Sequence, residues 1–289
     1  VAMILVGVDG SRAGLEAAAW AAKEAVLHRV PLRVVNAVPK WVCSPTLSGR
    51  YAAIAAWMRE GADMVLAAAA DRARSEAPEV EVSTSILPGD PRTALIEAAK
   101  GARMLVVGNH GLGGFRGLLV GSVAHAVAGH APCDVVVVRE APRQVHGEVV
   151  VGVDGSEQGG AALDFAFAEA ALRGARVRAV HAWTAIDGSG GLLPEPDGDG
   201  SGGDPGEIGL VKQAIAERRR RHPDVEVVEE IVQGHPVAVL RQESATADLL
   251  VVGSRGRGGF AGLVLGSVSQ GMLHQAACPL AVIRTPQRA

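Results

Sequence analysis

The chain has 289 residues, 48 % of them hydrophobic and 20 % charged, which is enough apolar material for one large domain or two ordinary ones. Aromatic residues are only 3 %, so the core must be built from Ala, Val, Leu and Ile, and a net charge of −3 gives no footing for nucleic acid or an anionic membrane as partner. The apolar opening, residues 1–8, is too short to cross a bilayer, and no uninterrupted run of about 20 apolar residues follows it. Cys43, Cys133 and Cys278 form no C-x-x-C pair, which suits a reducing, cytoplasmic setting.

In chain order, residues 3–8 read as a strand ending in Val6-Gly7-Val8-Asp9-Gly10-Ser11. A helix is predicted over 12–28, with Leu15, Ala18, Ala22 and Val26 on one stripe, then a strand over 32–38. A long helix over about 50–77 and a strand over 80–86 come next. A short helix starts at Pro91, with Asp90 as its cap. A strand over 104–107, a glycine-rich loop, a helix from Ser122 and a strand over 135–138 complete the series. The last run, four consecutive valines, lacks the apolar/polar alternation of a half-exposed strand and fits a parallel sheet covered on both faces.

The same series then repeats. Val6-Gly7-Val8-Asp9-Gly10-Ser11 returns as Val151-Gly152-Val153-Asp154-Gly155-Ser156, an offset of 145 residues. That offset also carries Asn36-Ala37 onto His181-Ala182, Gly108 onto Gly253, Gly121-Ser122 onto Gly266-Ser267 and Cys133 onto Cys278. One offset across separated landmarks means a duplicated domain. We therefore expect α/β domains at 1–140 and 148–289, each a doubly wound, Rossmann-like unit with a five-stranded parallel sheet, joined by a polar connector near 141–147. Gly174 is placed to end the first helix of the second copy. Residues 187–206, dominated by Gly, Pro, Asp and Ser, read as a loop, either a plain insertion or a flap over the site.

The loop after each fourth strand carries the chemistry. Gly108, Gly111, Gly121 and Ser122 in the first copy match Gly253, Gly256, Gly266 and Ser267 in the second. Glycines that open onto a helix let several backbone N–H groups and the positive helix end converge on one point, an arrangement that binds phosphate. Ser122 and Ser267 stand where a helix cap would, so capping and phosphate contact are both open to them. The loops contain no lysine, which excludes the P-loop, and Arg116 and Ala261 occupy positions where the dinucleotide fingerprint needs glycine.

The spacing G-x-x-G, nine residues, G-S, found twice and in the same order as V-G-V-D-G-S, resembles the ATP-binding motif of the universal stress protein family in its tandem form, over essentially the whole chain. The resemblance implies a site for ATP with Mg²⁺ in each domain. It places Asp9 and Asp154 beside the nucleotide, and Ala37 and Ala182 against adenine through their backbones. Val107 and Val252 would pack on the adenine side. Gly108, Gly111, Gly121, Ser122 and Val123, with Gly253, Gly256, Gly266, Ser267 and Val268, would line ribose and phosphates. Asn36 stands where the family has the His that the second copy keeps as His181. The site is expected where the strand order reverses, at the carboxyl ends of the first and fourth strands, which such folds set side by side. An Asp near a triphosphate needs a Mg²⁺ between them, or else takes ribose hydroxyls; closing the Asp-Gly-Ser turn is the alternative role.

The resemblance further implies that the last strands, 133–139 and 278–284, join the two copies as an internal pseudo-dimer, with homodimers and an unidentified protein partner beyond it. Arg116, Arg255 and Arg257 on the loops are open to phosphate pairing or to solvation, and His110 to a pH role or to none. Arg218-Arg219-Arg220-Arg221 is accounted for by the dipole at a helix C-terminus, without nucleic acid. No catalytic constellation is legible, so the expected function is an ATP-binding stress-response regulator rather than an enzyme. The alternatives are a slow ATPase and a module for AMP or a cyclic nucleotide.

Overall fold

The computed structural model describes residues 2–111, 120–139, 145–156, 159–184, 204–257 and 264–284. The chain divides into two compact units, Val1–Ala141 and Pro142–Ala289. The loop position Arg116, residues 187–203 of the Gly/Pro-rich segment and most of the connector lie outside the described residues.

In the first unit β1 (Ile4–Gly7), α1 (Arg12–His28), β2 (Leu32–Val38), α2 (Gly49–Glu76), β3 (Val82–Pro88), α3 (Pro91–Ala98), β4 (Met104–Gly108), α4 (Ser122–His130) and β5 (Asp134–Val138) alternate as expected. The second unit repeats the series with β6 (Glu148–Gly152), α5 (Gly160–Arg173), β7 (Arg176–Trp183), α6 (Pro205–Arg221), β8 (Val227–Gln233), α7 (Pro236–Glu243), β9 (Leu249–Gly253), α8 (Ser267–Gln275) and β10 (Leu280–Ile283). Every strand pair within a unit is parallel, and the orders are β3-β2-β1-β4-β5 and β8-β7-β6-β9-β10. The order reverses between β1 and β4, and again between β6 and β9. There the crossover helices leave on opposite faces, and a crevice opens at the strands' carboxyl ends.

The valine runs are buried because helices cover both faces: Leu105, Val106, Val135 and Val136 are wholly inaccessible, as are Val149, Val150, Leu250 and Val251. Helix α1 is more deeply embedded than its predicted stripe. Ala17, Ala18, Ala21, Ala22 and Ala25 are buried, while Leu15 and Val26 are only partly so. Alanines let the helix lie close to the strands, so the closest-packed face is marked by small residues rather than long ones.

Helix ends follow local chemistry. Ser11 caps α1 by accepting from the Gly14 N–H at 3.1 Å. Asp90 caps α3, with Pro91 in the first turn; the Arg92 guanidinium bonded to that carboxylate holds it down to about 2. Gly174 ends α5 in the left-handed conformation, φ 61°. The expected loop over 187–206 is corrected at its carboxyl end. Asp204 caps α6 by accepting from Gly206 N–H, and Pro205 supplies its first turn, so 205–206 are helical. The basic run at the end of α6 does more than offset a dipole. Arg218 grips Asp164 on α5 through two bonds of 2.9 and 3.0 Å, and Arg219 reaches Glu229 on β8 at 3.1 Å.

Among the described residues, no helix is long and apolar enough to cross a membrane.

Candidate functional site

Each unit holds a cavity at the predicted crevice, of about 430 Å³ in the first and about 500 Å³ in the second. The first is lined by Asp9, Ala37, Val107, Gly108, Gly111, Gly121, Ser122 and Val123, so all the positions singled out in that copy meet in one place. The second brings together Asp154, Ala182, Val252, Gly253, Gly256, Gly266, Ser267 and Val268. A volume of this order is that of a small-molecule site.

The frame follows from four elements. β1 delivers Asp9 and β6 delivers Asp154 at their carboxyl ends, and Gly10 (φ 86°) and Gly155 (φ 69°) then turn the chain into a helix. Asp154 Oδ1 accepts from the Ser156 N–H (3.0 Å) and hydroxyl (2.7 Å), and Oδ2 accepts from the Arg257 N–H across the cavity (2.9 Å). The carboxylate therefore ties its own turn to the glycine loop. Asp9 makes the matching bond to the Ser11 N–H at 3.0 Å.

The second strand is fastened to the same spot in both copies. Asn36 Nδ2 donates to the Val8 carbonyl at 2.7 Å, and His181 Nδ1 lies 2.8 Å from the Val153 carbonyl. Asn and His are thus interchangeable here because either offers one N–H at the same height above the sheet. For His181 this fixes the tautomer with the proton on Nδ1. Ala37 and Ala182 follow directly and line the cavities.

The glycine loop is closed at its base by backbone bonds. Gly121 N–H donates to the Asn109 carbonyl at 2.7 Å, and Gly266 N–H to the Ser254 carbonyl at 2.8 Å. One expectation is corrected: the caps of α4 and α8 are Gly121 and Gly266, and Ser122 and Ser267 are the first helical residues, making no side-chain cap bond. Glycine is the cap at a position where a Cβ would meet only ordinary contacts, the nearest being the Asn109 carbonyl oxygen at 3.4 Å from a Cβ on Gly121. Both serine hydroxyls are left at the cavity wall beside the helix's unpaired N–H groups, a phosphate-binding arrangement.

Several lining residues escaped the sequence reading. Pro91 and Leu95, with Pro236 and Leu240, form the apolar floor, and Leu95 and Leu240 pack where a Cβ on Gly7 or Gly152 would be 2.9 Å away. The 145-residue offset also carries Gly89 and Pro91 onto Gly234 and Pro236, a signal for this floor. Glu207 on α6 lines the second cavity, and among the described residues the first has no counterpart to it. Ser269 is buried there and donates to the Gly266 carbonyl at 2.9 Å. Of the loop arginines, Arg255 and Arg257 line the second cavity, while His110 lines the first.

The site divides chemically into an apolar half suited to a flat heterocycle and a half of backbone donors and hydroxyls suited to phosphate. Comparison with known proteins agrees with the duplication. The universal stress protein family model matches residues 3–139 and again 147–284. A universal stress protein of Mycobacterium tuberculosis is 34 % identical over 296 residues, covering 97 % of this chain and 96 % of the relative. One from Mycolicibacterium smegmatis is 34 % identical over 288 residues, with the same coverage. The solved structure of a universal stress protein from Archaeoglobus fulgidus shares the fold with a TM-score of 0.71 at 20 % identity, over 98 % of both chains. This chain belongs to the universal stress protein family, as two tandem domains of that family.

Proposed function

We propose that each domain binds one adenine nucleotide, ATP with Mg²⁺, and that the chain acts as a stress-response regulatory module rather than a catalyst. The observation that carries this reading is the recurrence of one cavity with one lining in both domains. An aspartate at the end of the first strand, a backbone-presenting Ala at the end of the second, and a glycine loop opening onto a helix recur at equivalent positions. Duplicated packing alone would preserve a core, not a concave, donor-rich crevice with an apolar floor.

In this reading the heterocycle lies on Val107 or Val252, facing the backbone of Ala37 or Ala182. The phosphates lie on the N–H groups at the start of α4 or α8, with Ser122 or Ser267 adding a hydroxyl. Asp9 or Asp154, whose bonds hold the turn, would hold the Mg²⁺, which would supply positive charge to offset the phosphates. Regulation follows from the same geometry: a ligand bridging the aspartate turn and the glycine loop stiffens both, and a partner can sense that change.

The test is mass spectrometry of small molecules released on denaturing the purified chain, beside a Gly121→Ala/Gly266→Ala variant. Both caps have ordinary φ, −71° and −73°, and nearest neighbours at 3.4 Å, so alanine fits the fold while placing a methyl group at the phosphate end. Nucleotide released by the wild type and lost in the folded variant supports the reading. Failure of the wild type to carry or take up any nucleotide overturns it. Steady hydrolysis faster than about 1 s⁻¹ would make the protein an enzyme instead.

A further inference from the structure

The two cavities share a frame but not a charge pattern. Among the described residues, the ionisable side chains lining the first are Asp9 and His110; those lining the second are Asp154, His181, Glu207, Arg255 and Arg257. Glu207 rises from the first turn of α6. The position 145 residues earlier, on α2, is the buried Ala62. Packing fixes this equivalence: the turn at Gly10 rests on Val65, and the turn at Gly155 rests on Leu210, Val211 and the carbonyl of Glu207. The second copy thus carries a carboxylate at the wall of its cavity where the first has a core alanine, packed with Val38, Val42 and Ala55 outside the cavity lining.

That carboxylate is not left bare. Arg257 Nη1 lies 2.6 Å from Glu207 Oε1, while the Arg257 backbone N–H is held by Asp154. The His181 ring stands behind, with Nε2 3.8 Å from the same Glu207 oxygen. Arg257 is 42 % exposed and Glu207 27 %, so the pair spans the cavity wall at the solvent boundary, where an ion pair is weak enough to be exchanged. A guanidinium forms its strongest bonds with the paired oxygens of phosphate or carboxylate, and it cannot give both ligands the same face.

Building on the nucleotide reading, we infer that Glu207 is a specificity-determining residue of the second site and that its pair with Arg257 is a latch. A phosphate entering this site must take Arg257 from Glu207 and leave the carboxylate uncompensated beside new negative charge. The latch lowers affinity for phosphorylated ligands relative to the same site without Glu207, and it leaves recognition of the uncharged nucleoside part untouched. The first site, with Ala62 in this place, has no such penalty, so the two domains respond to different concentrations of one ligand.

The experiment photolabels the full chain with 8-azido-ATP and, separately, with 8-azidoadenosine, and assigns label to each domain by peptide mass spectrometry. In Glu207→Gln the half-saturating concentration of 8-azido-ATP for second-domain peptides falls about fivefold, the size of one exposed charge interaction. First-domain labelling stays fixed, and 8-azidoadenosine labelling changes in neither domain. Arg257→Ala abolishes the gain when combined with Glu207→Gln. Unchanged or weaker second-domain labelling in Glu207→Gln, with the first domain still labelled, overturns the latch alone. An equal gain with 8-azidoadenosine also overturns it, because the effect would then be steric. Labelling of neither domain by either probe overturns the nucleotide reading and the latch with it.

Discussion

Asp154 and Gly256 are fitted to each other: a Cβ on residue 256 would lie 2.5 Å from Asp154 Oδ2. The first domain repeats the relationship, with 2.4 Å between a Cβ on residue 111 and Asp9 Oδ2. The second glycine of each G-x-x-G pair is therefore required by the aspartate at the end of the first strand, before any ligand is considered. Two motifs about a hundred residues apart are one unit in space.

Gly256→Ala should accordingly act through Asp154. The carboxylate is short and held by three bonds, from Ser156 N–H, Ser156 Oγ and Arg257 N–H, so it cannot swing aside without giving some of them up. We expect a stability loss of about 1–3 kcal/mol, the usual cost of overpacking, together with loss of ligand uptake by the second domain. In Asp154→Ala/Gly256→Ala the alanine no longer meets the carboxylate, so the double variant should be more stable than the sum of the two single losses predicts. Urea denaturation of the four proteins closes this cycle, and strict additivity would disprove the coupling.

The exchange of Asn36 for His181 predicts a tolerant and an intolerant substitution at one position. His181→Asn should keep the bond to the Val153 carbonyl and change stability by less than about 1 kcal/mol. His181→Ala should cost about 1–3 kcal/mol, because it strands a carbonyl and opens space at a residue only 3 % exposed. Equal losses for the two variants would mean that ring packing, not the hydrogen bond, fixes the strand to the aspartate turn.

Much of this fold was legible because it rests on patterns that backbone geometry enforces. Valine runs such as 135–138 can only be covered strands, and glycines at 108 and 111 mark places where a side chain has no room. An offset shared by distant landmarks needs no structure to be seen. What stayed hidden depends on side-chain reach. Ser122 and Ser267 look like caps in sequence, yet Gly121 and Gly266 are the caps and the serines are the first helical residues. Glu207 follows a segment without periodicity, so nothing in its spacing announces that α6 brings it to the cavity. Asp9 and Asp154 invite a metal or a ribose in the sequence, and the bonds by which they also hold the turn appear only in the fold.

The cysteines should report on the second domain's integrity. Burial pushes the Cys278 thiol up to about 12, at 3 % exposure, so almost no thiolate is present at neutral pH and reagents cannot reach it. Cys43 is exposed in the first domain. A disulfide reagent at pH 8 should therefore modify Cys43 in the native protein and spare Cys278 until denaturant opens the second sheet. Rapid native labelling of Cys278 would show that β10 opens without global unfolding.

The last prediction concerns acid. Glu148, 2 % exposed at the start of β6, meets Arg176 at 2.7 Å and also binds Arg178, which reaches Glu230 on β8 at 2.9 Å. Burial pushes the Glu148 carboxyl up, but the Arg178 and Arg176 guanidiniums outweigh it and hold the carboxyl below its ordinary value of 4.5. A carboxyl lowered on folding contributes stability that is complete above its unfolded value and disappears as pH falls through the folded one. Glu243 works in the opposite direction: burial, then repulsion from Glu230, raises it, so its protonation in acid relieves a strain on the same cluster. Glu148→Gln, which takes the carboxylate from Arg176 and leaves Arg178 with Glu230, should cost the second domain about 3 kcal/mol at neutral pH. The gap from wild type should narrow as pH falls below ~4.5, where the unfolded chain takes up the proton first and the folded carboxylate follows at lower pH. Urea denaturation of both proteins across that range measures the gap. If the gap stays constant, the ionised form of Glu148 is not what holds β6 and β7 together, and the hydrogen bonds of a neutral side chain suffice.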